Sequence, residues 1–195
     1  MKKITTSVVL ASLLVTSSLV AEESGFFGGV NLGYGVARPS GAGIPGGSYG
    51  GFRYGLIGGY KEILSSNMGM RYYATLDFGT RYSKGNDSPD ISTFNIYANG
   101  DALLNFGQDN TMEYGVFIGL ALGYANHIVY ANPGKSKPSG LDLAINLGVR
   151  AQSYNHHGLE LYSRFGMFDQ EVTAAGYTVK SSQPWQVGFR YLYTF

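Results

Sequence analysis

Trp185-Gln186-Val187-Gly188-Phe189-Arg190-Tyr191-Leu192-Tyr193-Thr194-Phe195 decides how the rest of the chain reads. Every second residue, from Trp185 through Val187, Phe189, Tyr191 and Tyr193 to Phe195, is apolar or aromatic. Those between them, Gln186, Gly188, Arg190, Leu192 and Thr194, are mostly polar or small. Side chains on a strand alternate faces with period two, so this strand has one greasy aromatic face and one wet face. A soluble sandwich rarely leaves such an aromatic edge uncovered. In a bilayer the pattern fits, because one face meets lipid and the other a polar lumen.

The same alternation recurs upstream and predicts seven more strands. They cover residues 26–37, 51–63, 69–82, 92–106, 112–126, 140–152 and 158–168. In 112–126, Tyr114, Val116, Ile118, Leu120, Leu122 and Tyr124 alternate with Glu113, Gly115, Phe117, Gly119, Ala121 and Gly123. The connections alternate too. Residues 38–50, 83–91, 127–139 and 169–183 read as long loops, and 64–68, 107–111 and 153–157 as short turns. Long external loops, short periplasmic turns and an even strand number belong to an eight-stranded antiparallel up-and-down transmembrane β-barrel, an all-β fold. The outward aromatics sharpen this. Phe26, Tyr60, Tyr72, Phe106, Tyr114, Tyr191, Tyr193 and Phe195 fall at the short-turn ends. Tyr34, Phe52, Tyr54, Phe78, Tyr82, Phe94, Tyr124, Phe165 and Trp185 fall at the long-loop ends, with Val, Leu, Ile and Ala between. Two aromatic girdles around an aliphatic band are expected of a barrel that spans a bilayer. A soluble lipocalin-like barrel would place its greasy side within.

The N-terminal region agrees. Met1-Lys2-Lys3 is positive, Val8 to Val20 is mostly apolar, and Ala21 precedes Glu22-Glu23. This is the layout of a signal peptide over residues 1–21, cleaved between Ala21 and Glu22, with the barrel over 22–195. Cleavage removes two of the 14 Lys and Arg, leaving 12 against 13 acidic residues and a net charge of −1. That balance gives no electrostatic case for nucleic acid. The chain has no cysteine, which excludes disulfides and thiolate metal sites, and no cofactor is expected.

The chain resembles the Helicobacter-type outer membrane protein family, in a short form. The resemblance rests on Ala21-Glu22-Glu23-Ser24-Gly25-Phe26-Phe27-Gly28-Gly29-Val30 and on Phe189-Arg190-Tyr191-Leu192-Tyr193-Thr194-Phe195. More distantly it is similar to the transmembrane barrel of OmpA. The resemblance implies a surface-exposed barrel in the bacterial outer membrane. It also implies that Tyr191, Tyr193 and Phe195 form the C-terminal signal read by the barrel-assembly machinery. Large members resemble adhesins through a big external domain, for which this chain has no room.

Inside, an eight-stranded barrel is just wide enough for side chains to fill. Inward charges must pair or meet water, because a lone buried charge is expensive. Strand adjacency predicts one cluster with Glu160 between Arg150 and Arg190, and a second with Asp101 between Arg71 and, less favourably, Glu113. The inward glycines, among them Gly29, Gly33, Gly115, Gly119 and Gly123, leave room for water and keep a narrow non-specific pore as an alternative.

A third reading is a lipid A-modifying enzyme. None of His127, His156 and His157 begins a His-x-Ser motif. His127 falls in a predicted loop, where Ser136 or Ser139 and an Asp would have to join it. Neither catalytic nor metal residues are expected. Lys135 and Lys137 are candidate contacts for lipopolysaccharide head groups. Tyr177 lies in a loop that reads as a hairpin extension able to touch an unknown surface ligand. The expected role is therefore structural or surface interaction through external loops, among outer membrane lipids.

Overall fold

The computed structural model describes residues 23–41, 47–82, 90–108, 112–131, 134–153, 156–174 and 177–195. The expected leader and the Ala21–Glu22 junction lie outside them. The strands are β1 (Gly25–Gly41), β2 (Tyr49–Ser65), β3 (Met68–Tyr82), β4 (Asp90–Gln108), β5 (Met112–Ala131), β6 (Gly134–Ser136), β7 (Ser139–Ser153), β8 (His157–Gly166), β9 (Asp169–Ala174) and β10 (Tyr177–Thr194). Eight of them form a closed antiparallel ring in the order β1-β2-β3-β4-β5-β7-β8-β10, with β10 returning to pair with β1. Closure removes the sheet edges that a bilayer cannot satisfy. The short β6 and β9 pair with the ends of β5 and β10 as hairpin extensions.

The period-two pattern sets the faces. Leu120 and Leu122 are 59% and 58% exposed on the outside, while Ala121 between them is fully buried. Phe189 and Val187 face outward around a buried Gly188. Outside, Phe26 meets Tyr60 near the short-turn end (ring centroids 5.1 Å apart). Near the other end Phe52, Tyr54, Phe78 and Phe94 form a continuous chain of ring contacts at 6.3, 5.6 and 5.2 Å. Val30, Leu32, Leu56, Ile96, Ile118 and Leu147 lie exposed between the girdles.

Two segments that read as loops in the sequence are largely strand. Across residues 127–139, β5 continues to Ala131 and the chain turns back as β6. Residues 169–183 form β9 and the first third of β10, paired from Tyr177–Ala174 to Ser182–Asp169. The hairpin expected there is present, and its second strand runs on without a break into the C-terminal strand. The Gly, Pro and Ser content of these segments masks an alternation that continues. Ile128 and Tyr130 point away from the lumen, while His127 and Val129 point into it. The wall thus rises past the outer girdle before the chain turns.

Candidate functional site

The lumen and the external rim are the two places where a barrel of this kind can act. The lumen is filled in layers. Nearest the short turns, Phe27, Ile57, Tyr73 and Leu192 cluster, and beside them Leu103, Phe117 and Tyr162 pack with Ile63. Buried charges thread between these rings. Arg71 on β3 holds Asp101 on its register neighbour β4 at 2.8 Å. The same guanidinium reaches across the barrel to Glu160 on β8, with Nη2 donating to Oε2 at 3.1 Å and Nη1 to Oε1. Glu160 faces Arg150 (4.0 Å) on β7 and Arg190 (3.5 Å) on β10, its register partners on either side. The cations also lie over aromatic faces: Arg71 over Phe117 at 4.5 Å and Arg190 over Tyr162 at 4.0 Å. Cation–π contact of this kind is favoured where the site is desolvated.

The two predicted clusters are therefore one network. Adjacency indicates Glu160 with Arg150 and Arg190. It does not indicate Arg71, which is a neighbour of Glu160 only through the lumen. The predicted flank of Asp101 by Glu113 is corrected. The β5 neighbour of Asp101 is Gly119, and Glu113 stands further down the strand, opposite Gln108 and Gln152. The distance along β5 between positions 113 and 119 separates the two carboxylates.

Above this, Arg164 on β8 is a second hub. It pairs with Asp77 at 2.7 Å, donates to the carbonyl oxygens of Asn146 and Asn99 at 2.9 Å each, and lies 4.4 Å over the Tyr97 ring. Tyr97 donates to Asp142 at 2.7 Å. Asn31 completes the shell of Asp77 at 2.9 Å. Multiple hydrogen bonds to each buried charge are what make such burial tolerable.

Several inward glycines are closely approached by their neighbours, where the sequence reads them as open space. The Asp101 carboxylate occupies the position next to Gly119 where a Cβ would stand, and the Tyr97 ring does the same at Gly123. The ring of Phe117 lies 2.6 Å from where Gly148 would carry one. Large side chains on one strand lie over glycines on the next, which raises packing density rather than lowering it.

The external mouth is filled differently. Ala37, Tyr49, Ile91 and Val129 form a buried apolar cluster inside the rim. Beneath it, Asn95 donates to Gln183 at 2.8 Å and Gln183 to Gln186 at 2.9 Å. His127 is wholly buried on β5, with Nδ1 2.6 Å from Ser181 Oγ. This corrects its placement in a loop. Ser139, which the enzyme reading would have to bring to His127, accepts a hydrogen bond from Tyr124 at 2.9 Å instead. The alternation, continued from Tyr124, places His127 inward.

On the rim, Lys135 and Lys137 are exposed, and Lys135 lies 4.9 Å over the Tyr130 ring. The backbone of Tyr177 pairs with Ala174 at the tip of the β9–β10 hairpin. At the other end Tyr191, Tyr193 and Phe195 face outward, and the Phe195 amide donates to the Phe26 carbonyl at 2.9 Å across the β1–β10 seam. His157, the last residue of a predicted short turn and the first of β8, is exposed there with Nδ1 2.7 Å from the Tyr191 hydroxyl. Among the described residues no group of His, Asp and Glu is arranged to hold a metal ion.

A closed ring of eight strands with girdles outside and a polar, packed inside defines a small transmembrane barrel of outer membrane type. The family model described as Helicobacter outer membrane protein matches residues 55–195. The chain belongs to that family and is an integral protein of the bacterial outer membrane. Neisserial surface protein A has a similar fold, at 18% identity and a TM-score of 0.55, over 89% of this chain and 100% of that one. A major outer membrane protein of Thermus thermophilus matches at 14% identity and a TM-score of 0.47, over 89% of this chain and 100% of its own. Ail, the attachment invasion locus protein of Yersinia pestis, matches at 12% identity and a TM-score of 0.42, over 86% of this chain and 98% of its own. No curated protein matches the chain.

Proposed function

We propose that this protein is a closed, non-catalytic barrel whose role in the outer membrane is structural and exercised through its external hairpins. The observation that carries this is the filled lumen. Arg71 joins Asp101 on the neighbouring strand to Glu160 across the barrel, so the network bridges the space an ion would cross. Large buried side chains above and below, from Tyr73 to Ile91, add to the obstruction. The test is planar-bilayer conductance of the purified protein. A closed lumen gives no stable channel; reproducible nanosiemens openings would establish the pore reading instead.

The placement of His127 disfavours enzymatic action on lipid A. His127 and its partner Ser181 are fully buried under the apolar rim cluster, out of reach of an acyl ester. A nucleophile needs an oriented base and access to its substrate. Lipid A from a deletion strain should have the wild-type mass spectrum; a lost or gained acyl chain would contradict this. The hairpins, with Lys135, Lys137 and Tyr177, are the surfaces offered to lipopolysaccharide and to other surface ligands. Tyr191, Tyr193 and Phe195 are the residues that the barrel-assembly machinery would read, and they also serve the inner girdle. Deleting Phe195 should slow assembly into membranes containing that machinery more than spontaneous folding into detergent; equal effects would leave only the girdle role.

A further inference from the structure

We propose that the outward face of β1 and β10, just above the outer girdle, binds the phosphorylated sugar head group of an outer-leaflet glycolipid. The proposal rests on the outer membrane placement of the chain and is independent of whether the lumen conducts.

The geometry begins at a bulge between Val36 and Arg38 in the β1–β10 pairing. Beyond it the alternation of β1 continues while that of β10 changes phase. Ala37, Pro39, Val179 and Ser181 are buried, while Arg38, Ser40 and Lys180 stand exposed on the outside. The register sets two rows across three strands: Arg38, Ser182 and Asp169, then Ser40, Lys180 and Glu171. Arg38, Ser40, Asp169, Lys180 and Ser182 line a cleft of about 360 Å³, joined by Ser48 from just before β2. That is near the lower end of small-molecule sites, and enough for one phosphorylated hexosamine. Immediately below the cleft, Tyr34 and Trp185 lie 6.1 Å apart in the outer girdle. Aromatics of a girdle mark the level of the head groups. The cleft therefore sits at head-group height, opening toward the lipid.

Its chemistry suits a sugar phosphate better than a bare anion. Arg38 Nε donates to Ser48 Oγ at 3.0 Å, which orients the planar fork. An Arg fork binds phosphate oxygens in pairs, and a nearby Lys adds a point charge. Lys180 is held by Glu171 at 2.9 Å, but both side chains are about half exposed. Surface pairs of that kind contribute little, so a phosphate can take the ammonium over. Asp169 would repel a free dianion but accepts hydrogen bonds from sugar hydroxyls, and Ser40, Ser48 and Ser182 can both donate and accept. Positive groups on β1 and β10, an acceptor on β9 and hydroxyls between them match a phosphate attached to a hydroxyl-bearing ring. A phospholipid phosphate or inorganic phosphate would use the cations and leave Asp169 unmatched.

The experiment uses the refolded full chain in detergent micelles, with binding read by native mass spectrometry. The probes are diphosphoryl lipid A, the same lipid after phosphatase treatment, phosphatidylglycerol, and inorganic phosphate. We expect retention of diphosphoryl lipid A and about a tenfold loss of affinity, roughly 1.4 kcal/mol, in an Arg38→Ala/Lys180→Ala variant. Arg38→Lys should keep part of the binding. The dephosphorylated lipid should bind the wild type as weakly as the diphosphoryl form binds the double variant. Phosphatidylglycerol and inorganic phosphate should bind no better than that. A Lys135→Ala/Lys137→Ala variant, which removes the rim contacts offered to lipopolysaccharide, should lose less affinity than the Arg38→Ala/Lys180→Ala variant. Unchanged affinity in the Arg38/Lys180 variant, or loss only in the Lys135/Lys137 variant, overturns the site. Equal binding of phosphatidylglycerol or free phosphate overturns the sugar. Heat-modifiable gel mobility checks that each variant folds, and both substituted side chains are exposed, so the barrel should be intact.

Discussion

The periplasmic half of the lumen and its external mouth solve the same problem with different materials. Below, charges are buried and must be matched: Glu160 faces Arg71, Arg150 and Arg190, and aromatic rings separate the guanidiniums. Above, Ala37, Tyr49, Ile91 and Val129 close the rim by apolar contact, and beneath them His127 meets Ser181 while the buried Arg53 guanidinium donates to the Thr93 hydroxyl. A charge network tolerates almost no loss of a member, because each loss leaves another charge uncompensated. An apolar cluster loses only the contacts of the atom removed and the cavity left behind. The Glu160 network should therefore be brittle and the apolar rim cluster tolerant.

The largest effect should come from breaking the lower half. Glu160→Gln leaves guanidiniums facing a neutral amide and should cost about 3–5 kcal/mol, read from urea unfolding in lipid vesicles. A loss below about 1 kcal/mol would mean that the network is solvated rather than matched. Ile91→Ala, in the upper half, should cost about 2–4 kcal/mol, as a cavity in a packed cluster does. The two sites occupy separate layers of the lumen, so the double variant should be additive within about 0.5 kcal/mol. A larger coupling would join the regions that the comparison separates.

Smaller changes sharpen the picture. Gly119→Ala places a methyl against the Asp101 carboxylate and the Gly100 carbonyl, and overpacking there should cost about 1–3 kcal/mol. Gly58→Ala makes the control, since an added Cβ there meets the Phe27 carbonyl at an ordinary 3.7 Å. The smallest effect belongs to Ser181→Ala. It leaves His127 Nδ1 without its hydroxyl and should cost about 1 kcal/mol. Hydrogen exchange should rise at the β9–β10 hairpin and stay unchanged around Glu160.

How much was legible in the sequence follows the range of the interactions. The strands and their faces are local, and Leu120 and Val187 point where a period of two puts them. Contacts between neighbouring strands come next. Strand order alone indicates the row Arg150, Glu160, Arg190, once the ring is known to close. Contacts across the lumen are set by shear and side-chain length, so Arg71 to Glu160 and Arg164 to Asp77 carry no sequence signal. The inward aromatics Tyr73 and Tyr97 are hard to read for a related reason. Each follows an outward residue in a hydrophobic stretch and enters the lumen through its hydroxyl, which bonds Asp101 or Asp142. The external extensions are hidden by composition. Gly, Pro and Ser report turn chemistry, and here they sit in strands held by continuous pairing, as from Arg38–Ser182 to Gly41–Val179.

The central claim is that alternate residues on these strands touch hydrocarbon while the others fill a packed lumen. Because the chain has no cysteine, single cysteines at positions 117, 118, 120, 121 and 122 of β5 can each carry one spin label. In lipid bilayers, labels at 118, 120 and 122 should collide freely with oxygen dissolved in the acyl chains. Labels at 117 and 121 should be immobilised and protected from it. Loss of that alternation, or its inversion with 120 protected and 121 exposed to lipid, would contradict the account.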